Sequence, residues 1–149
     1  MERSDAGDVA SRVIAMATST FVSTVRTSTD RFGLLEGKTI LIVEDEPLIA
    51  LDLHAALRAA GASLIAATNA TEALRLIRRN EISAAVVDVN LGGDNSFAVC
   101  QALFYRSIPF LFHTGHREAD VLKAWPEAPL IVKPAGHDEL VACLAALAS

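Results

Sequence analysis

The chain has 149 residues, 52% of them hydrophobic and 21% charged, with a formal net charge of -5 and a pI of about 5.3. That length suits one domain with enough apolar material to bury a core unaided. The acidic balance, with no basic stripe interleaved with aromatics, excludes a nucleic-acid surface, and no apolar stretch approaches the roughly 20 residues of a membrane span. A cytoplasmic protein is expected, with neither nucleic acid nor membrane as a partner.

Residues 1 to 36 differ from the rest. Thr18, Ser19, Thr20, Ser23, Thr24, Thr27, Ser28 and Thr29 make them hydroxyl-rich and poor in helix formers. Val9, Val13, Ile14 and Ala17 offer at most a weak amphipathic stretch, and Glu2, Asp5 and Asp8 count against a transit peptide. The expectation is a flexible or weakly helical arm, or alternatively a partner-docking helix, ahead of a domain over 37–149.

The domain begins with an apolar run, Thr39 to Val43, followed by Glu44-Asp45-Glu46-Pro47. Pro47 opens a helix with Ile49, Leu53 and Leu57 on one face and Gly61 as its stop. A strand over Leu64 to Ala67 follows. Asn69 and Glu72 then form a capping box for a helix carrying Ala73, Leu74 and Ile77. Ala84 to Val87 is a second uncharged run, ending at Asp88. A helix from about Ser96 to Tyr105 is expected to bury Phe97, Cys100, Ala102 and Leu103. Phe110 to Phe112 runs into His113-Thr114-Gly115, a short helix spans about Glu118 to Ala124, and Leu130 to Val132 leads to Lys133-Pro134. The last helix covers roughly Asp138 to Leu147, with Leu140, Val141, Leu144 and Leu147 inward.

Unbroken apolar runs are what strands buried on both faces show, and strict β-α alternation implies right-handed crossovers with helices on both sides of a parallel sheet. Asp45, Asp88, Thr114 and Lys133 all stand at or just past the carboxyl ends of those runs. In such a sheet these ends share one edge and converge on one crevice. Two carboxylates can hold a divalent cation there, while a hydroxyl and an ammonium can hold phosphoryl oxygens. Taken singly, each residue has an ordinary explanation: a strand-end Asp is often a turn former, and the Lys or Thr of a loop is often only solvated.

Taken together, the order Glu44-Asp45, Asp88, Thr114-Gly115 and Lys133-Pro134 resembles the receiver domain of two-component response regulators over about residues 37 to 149. The segment Phe112-His113-Thr114-Gly115-His116 further resembles the FAT GUY subgroup. The resemblance implies a flavodoxin-like, doubly wound five-stranded parallel sheet of order 2-1-3-4-5. It makes Asp88 the phosphoacceptor, Asp45 a direct Mg²⁺ ligand, Glu44 its neighbour in the metal site and the main-chain carbonyl of Asn90 a further ligand, with Thr114 and Lys133 on the phosphoryl group. The implied partners are a histidine kinase or histidine phosphotransferase as donor and a downstream protein as reader. The implied protein is a stand-alone phosphoacceptor with slow autodephosphorylation and no separate substrate turnover. Asn90 and His116 would flank the attacking water.

Other readings meet specific obstacles. A haloacid-dehalogenase-like phosphatase needs an Asp two after its nucleophile, and position 90 is Asn. An FMN binder would place its phosphate where Glu44-Asp45-Glu46 would repel it. A phosphate sink or a degenerate receiver serving as a binding module is the nearer alternative. Receivers often carry an aromatic three before the lysine and a Phe two after it; here Leu130 and Ala135 stand there, which argues against an aromatic toggle. His113 and His116 lack a third ligand for a metal, His54 and His137 read as surface or cap residues, and Trp125 as an anchor for the loop before the last strand. Cys100 and Cys143 fall on apolar stripes and read as core thiols.

Overall fold

The computed structural model describes residues 33–91, 94–115 and 120–149. Residues 1–32 of the arm expected over 1–36, together with His116 and the start of the short helix at Glu118, lie outside the described residues. Five strands, β1 (Thr39–Val43), β2 (Ser63–Ala67), β3 (Ala84–Val87), β6 (Phe110–Thr114) and β7 (Leu130–Val132), form one parallel sheet ordered β2-β1-β3-β6-β7. Counted within the sheet alone, that is the expected order 2-1-3-4-5. Two further strands, β4 (Asn90–Leu91) and β5 (Asp94–Asn95), pair antiparallel in a small hairpin just past β3. Two-residue strands carry too little periodicity to be read from sequence.

Helix α1 (Pro47–Ala59) has Pro at its start. It ends in a Schellman arrangement: the Ala62 N–H donates to the Leu57 carbonyl at 3.1 Å and the Gly61 N–H to that of Arg58 at 2.9 Å. Gly61 takes φ of +97°, and a Cβ there would meet the Glu36 backbone at 3.2 Å, so the expected stop is conformational and steric at once. Helix α2 (Ala70–Arg79) is capped by Asn69, whose side chain accepts from the Glu72 N–H at 2.8 Å. Helices α3 (Phe97–Tyr105), α4 (Asp120–Ala124) and α5 (His137–Ala148) complete the layers.

Side chains alternate across the sheet, and both faces are covered. Ile40, Ile42, Ala84, Val86, Leu111 and Ile131 pack under α1 and α5 with Leu53, Leu57, Leu140 and Leu144. Leu41, Val43, Ala85, Val87, Phe110 and Phe112 pack under α2, α3 and α4 with Ile77, Val99, Leu103 and Val121. Double coverage is why no polar residue interrupts the runs. Leu35 is fully buried in the first of these cores, and its N–H donates to the Ala60 carbonyl at 2.9 Å, so packing begins just ahead of β1. Cys143 lies in the first core and Cys100 in the second, both as free thiols that burial pushes up to about 12.

One expectation about α3 fails. Phe97 is 43% exposed. The buried stripe is Val99, Cys100 and Leu103, and at about 100° per residue Phe97 lies roughly 110° from the middle of that stripe, at its edge. Phe97 instead stacks edge-on against Trp125, with centroids 4.8 Å apart. Trp125 also meets Phe110 at 6.2 Å, which ties the loop before β7 to the sheet.

Candidate functional site at the carboxyl edge of the sheet

Ladder hydrogen bonds run one residue past the strands and set the backbone of the site. The Glu44 N–H donates to Ala67 at 3.1 Å, the Asp88 N–H to Val43 at 3.0 Å and the Lys133 N–H to Thr114 at 3.0 Å. Glu44, Asp88 and Lys133 are thereby held as extensions of β1, β3 and β7, while Thr114 closes β6. The sequence-expected residues therefore come together at one edge.

Glu44, Asp45 and Asp88 each present a carboxylate oxygen, all within 4.8 Å of one another, and they are the one such group among the described residues. Glu44 is 2% and Asp88 5% exposed, while Asp45 is half-buried. Burying like charges is costly without a counter-charge, and Lys133 supplies one. Its Nζ donates to Glu44 Oε1 at 2.6 Å and to Asp88 Oδ2 at 3.0 Å. The other Asp88 oxygen, Oδ1, accepts from the Asn90 N–H at 3.2 Å. Glu44 Oε2 receives only a long contact from the Glu46 N–H, at 3.4 Å. Thr114 is fully buried.

The unequal support decides which carboxyl keeps a proton. Burial, reinforced by the adjacent Asp88, raises Glu44 to about 7 against the opposing pull of Lys133. Asp88 is equally desolvated, yet hydrogen bonds from Glu44, Lys133 and the Asn90 N–H outweigh that and hold it below the usual aspartate range. Lys133 is raised, since its two carboxylate partners outweigh the burial that would lower it. The result is an ionised Asp88 beside a carboxyl that is half-protonated near neutrality, which is the state expected of an acidic crevice short of positive charge.

Three oxygen donors with no sulfur or imidazole among them suit a hard divalent cation, and Mg²⁺ in particular, which binds through one or two carboxylates and keeps several waters. The donor set fits that ion.

The sequence profile of the response regulator receiver domain matches residues 40–145. The chain belongs to the response regulator receiver family. This receiver is 36% identical over 100 residues to the phyllosphere-induced regulator PhyR of Methylorubrum extorquens, an overlap covering 64% of this chain and 38% of PhyR. The chain spans less than half the length of the curated relatives it matches. The solution structure of SdrG from Sphingomonas melonis Fr1 superposes with a TM-score of 0.66 at 39% identity, covering 76% of this chain and 97% of SdrG. The receiver domain of the sensor histidine kinase PA1611 from Pseudomonas aeruginosa PAO1 superposes with a TM-score of 0.64 at 23% identity, covering 72% and 94%; at that identity the likeness is one of fold. The PA1611 structure has a magnesium ion coordinated in its active-site cleft. Receivers accept phosphoryl groups and bind Mg²⁺ at an acidic site of this kind.

Some features of the receiver's site were not legible in sequence. The Lys133–Glu44 pair spans 89 positions, and no local signal foretells it. His137 Nε2 meets Asp52 Oδ2 at 2.8 Å, so the first residue of α5 is tied to α1 rather than merely exposed. His113 is 7% exposed, and among the described residues its Nδ1 has no hydrogen-bond partner; burial, then the Lys133 charge, lowers its pKa. Leu130, where an aromatic is frequent, is 40% exposed at the start of β7, and Ala135 is partly buried against the α1/α5 core. Among the described residues, no helix is long and apolar enough to cross a membrane.

Proposed function

We propose that the chain is a cytoplasmic receiver, with an N-terminal arm over 1–36 and the phosphoacceptor domain over 37–149, that takes a phosphoryl group onto Asp88 from the phosphohistidine of a histidine kinase or phosphotransferase. The observation that carries this reading is the buried, ionised Asp88 within 4.8 Å of Glu44 and Asp45 and 3.0 Å from the Lys133 ammonium. Asp45, Glu44, Asp88 and the main-chain carbonyl of Asn90 would hold Mg²⁺. When bound, that ion neutralises phosphoryl charge and keeps the carboxylates ionised together.

A carboxylate oxygen of Asp88 attacks phosphorus in line, the phosphorus–nitrogen bond to the donor imidazole breaks, and the leaving nitrogen keeps the electron pair. The hydroxyl of Thr114 and the ammonium of Lys133 donate to oxygens on which charge builds. Asn90 offers no carboxylate as a general base against the acyl phosphate, which supports slow autodephosphorylation rather than turnover. Its output is docking on a downstream protein; an aromatic toggle is not its means, since Leu130 has no ring to swing. Acetyl phosphate with Mg²⁺, followed on a phosphate-affinity gel, tests the assignment. One base-labile phosphoryl group per chain is expected, and none at all would refute it.

A further inference from the structure

Among the described residues, His113 is the one buried polar side chain on the α1/α5 side of the sheet that the proposed chemistry does not use. The register places it closely. Val86 pairs with Leu111 and Val87 with Phe112, so the next pair along β3 and β6 is Asp88 with His113; on the other side, His113 pairs with Ile131 of β7. Alternation then sets its side chain on the face of Leu111 and Ile131, which both pack in the α1/α5 core. Lys133 is two beyond Ile131 and shares that face. To reach Asp88 on β3 and Glu44 on β1, the lysine must cross β6, where its register neighbour is Gly115, which has no side chain, and the same-face residue level with Asp88 is His113.

Hydrogen-bonding capacity on the two sides matches. A lysine ammonium has three N–H donors, and Lys133 uses two, on Glu44 and Asp88. The His113 imidazole, buried beside a positive charge, stays neutral, and a neutral imidazole has one acceptor nitrogen. Its Nδ1 has no partner among the described residues, and a buried polar atom left unpaired opposes folding. A divalent cation in the Glu44–Asp45–Asp88 group would compete for the oxygens that Lys133 now holds and would repel its ammonium.

We propose that His113 is a positioning residue for Lys133, its Nδ1 accepting the ammonium's third N–H when a divalent cation takes up Glu44. The lysine then stays over Asp88, turned toward the phosphoryl oxygens, instead of swinging into solvent. This rests on the metal assignment given above.

The test is a Mg²⁺ titration of the full chain, uniformly labelled with ¹⁵N, in which the backbone amides of Asp45 and Asp88 report the metal and the His113 and Lys133 side-chain nitrogens report the contact. In the wild type, the amides and the Nδ1 resonance are expected to move together, Nδ1 upfield as an acceptor, while the Lys133 ammonium signal sharpens as its exchange with water slows. In His113→Phe, which keeps the bulk and removes the acceptor, the sharpened ammonium signal is lost; in His113→Gln, whose amide oxygen can accept, it returns. Amides that move while Nδ1 stays fixed would overturn the inference and leave the metal assignment standing. Amides that do not move would overturn both.

Discussion

The interior of the sheet and its carboxyl edge are made by the same strands under opposite rules. From Ile40 to Val43, Ala84 to Val87 and Phe110 to Phe112, every side chain is apolar and buried, and helices cover both faces. One residue further on, Glu44, Asp88 and His113 are as deeply buried but polar. Among the described residues, their partners are a single lysine, a backbone N–H, or, for His113 Nδ1, none. Fully buried aliphatic side chains each contribute about 1.5–3 kcal/mol, whereas desolvated like charges oppose folding. Stability and chemistry are thus separated by a single step along each strand, and the first region offsets the unfavourable electrostatics of the second.

The largest effect expected from breaking that separation is at Asp88. Asp88→Asn removes the nucleophile, so labelling by acetyl phosphate should vanish; because the fold holds this carboxyl below the usual aspartate range, its ionised form stabilises the native state at neutral pH, and Tm in EDTA should fall. Persistent labelling would move the acceptor elsewhere, and a raised Tm would show that charge crowding outweighs the hydrogen bonds Asp88 receives.

Next in size is the interior. Leu57→Ala, at a fully buried position under the α1/α5 side of the sheet, should cost about 2–5 kcal/mol in urea unfolding, yet the folded fraction should label as the wild type does. Labelling that falls beyond the loss of folded protein would mean that the core and the edge are coupled.

The carboxyl edge itself is sharpened by pH. Glu44 has a folded pKa of about 7, above its ordinary value of 4.5, so between those values the native chain binds more protons than the unfolded one. Stability from this group is therefore complete below about pH 4.5, is lost as pH rises through about 7 and then levels off. Glu44→Gln should flatten that slope in metal-free buffer, and Mg²⁺ should flatten it in the wild type. Unfolding curves between pH 5 and 8 decide it; an unchanged slope in the variant would place the titration on another group.

The smallest effect belongs to the Asp52–His137 pair, which joins α1 to α5 beside the Lys133 loop at 2.8 Å but is largely exposed. Asp52→Asn should cost under about 1 kcal/mol, as solvated ion pairs do, and leave labelling intact. A loss of labelling would show that the α1–α5 tie holds Lys133 in place.

Most of the fold was legible because its determinants are local. Double burial writes itself as uncharged runs, Gly61 as a φ that other residues resist, and Asn69 with Glu72 as a cap that closes over three residues. Phe97 misled because it stands three before Cys100, as a buried helical residue would, yet falls at the edge of the stripe formed by Val99, Cys100 and Leu103, and the β4–β5 hairpin is too short to carry a period.

What the sequence determined by itself is which residues stand at strand ends, since hydrophobic runs and turn residues mark those ends without reference to the rest of the chain. Only the tertiary structure decided which of them share a proton or a cation. Whether Lys133 reaches across β6 to Glu44 and Asp88, and whether His113 keeps a nitrogen without a partner among the described residues, depend on distances between strands far apart in sequence. Coulomb and hydrogen-bond energies depend on those distances and on the burial around them, and neither exists until the sheet has closed.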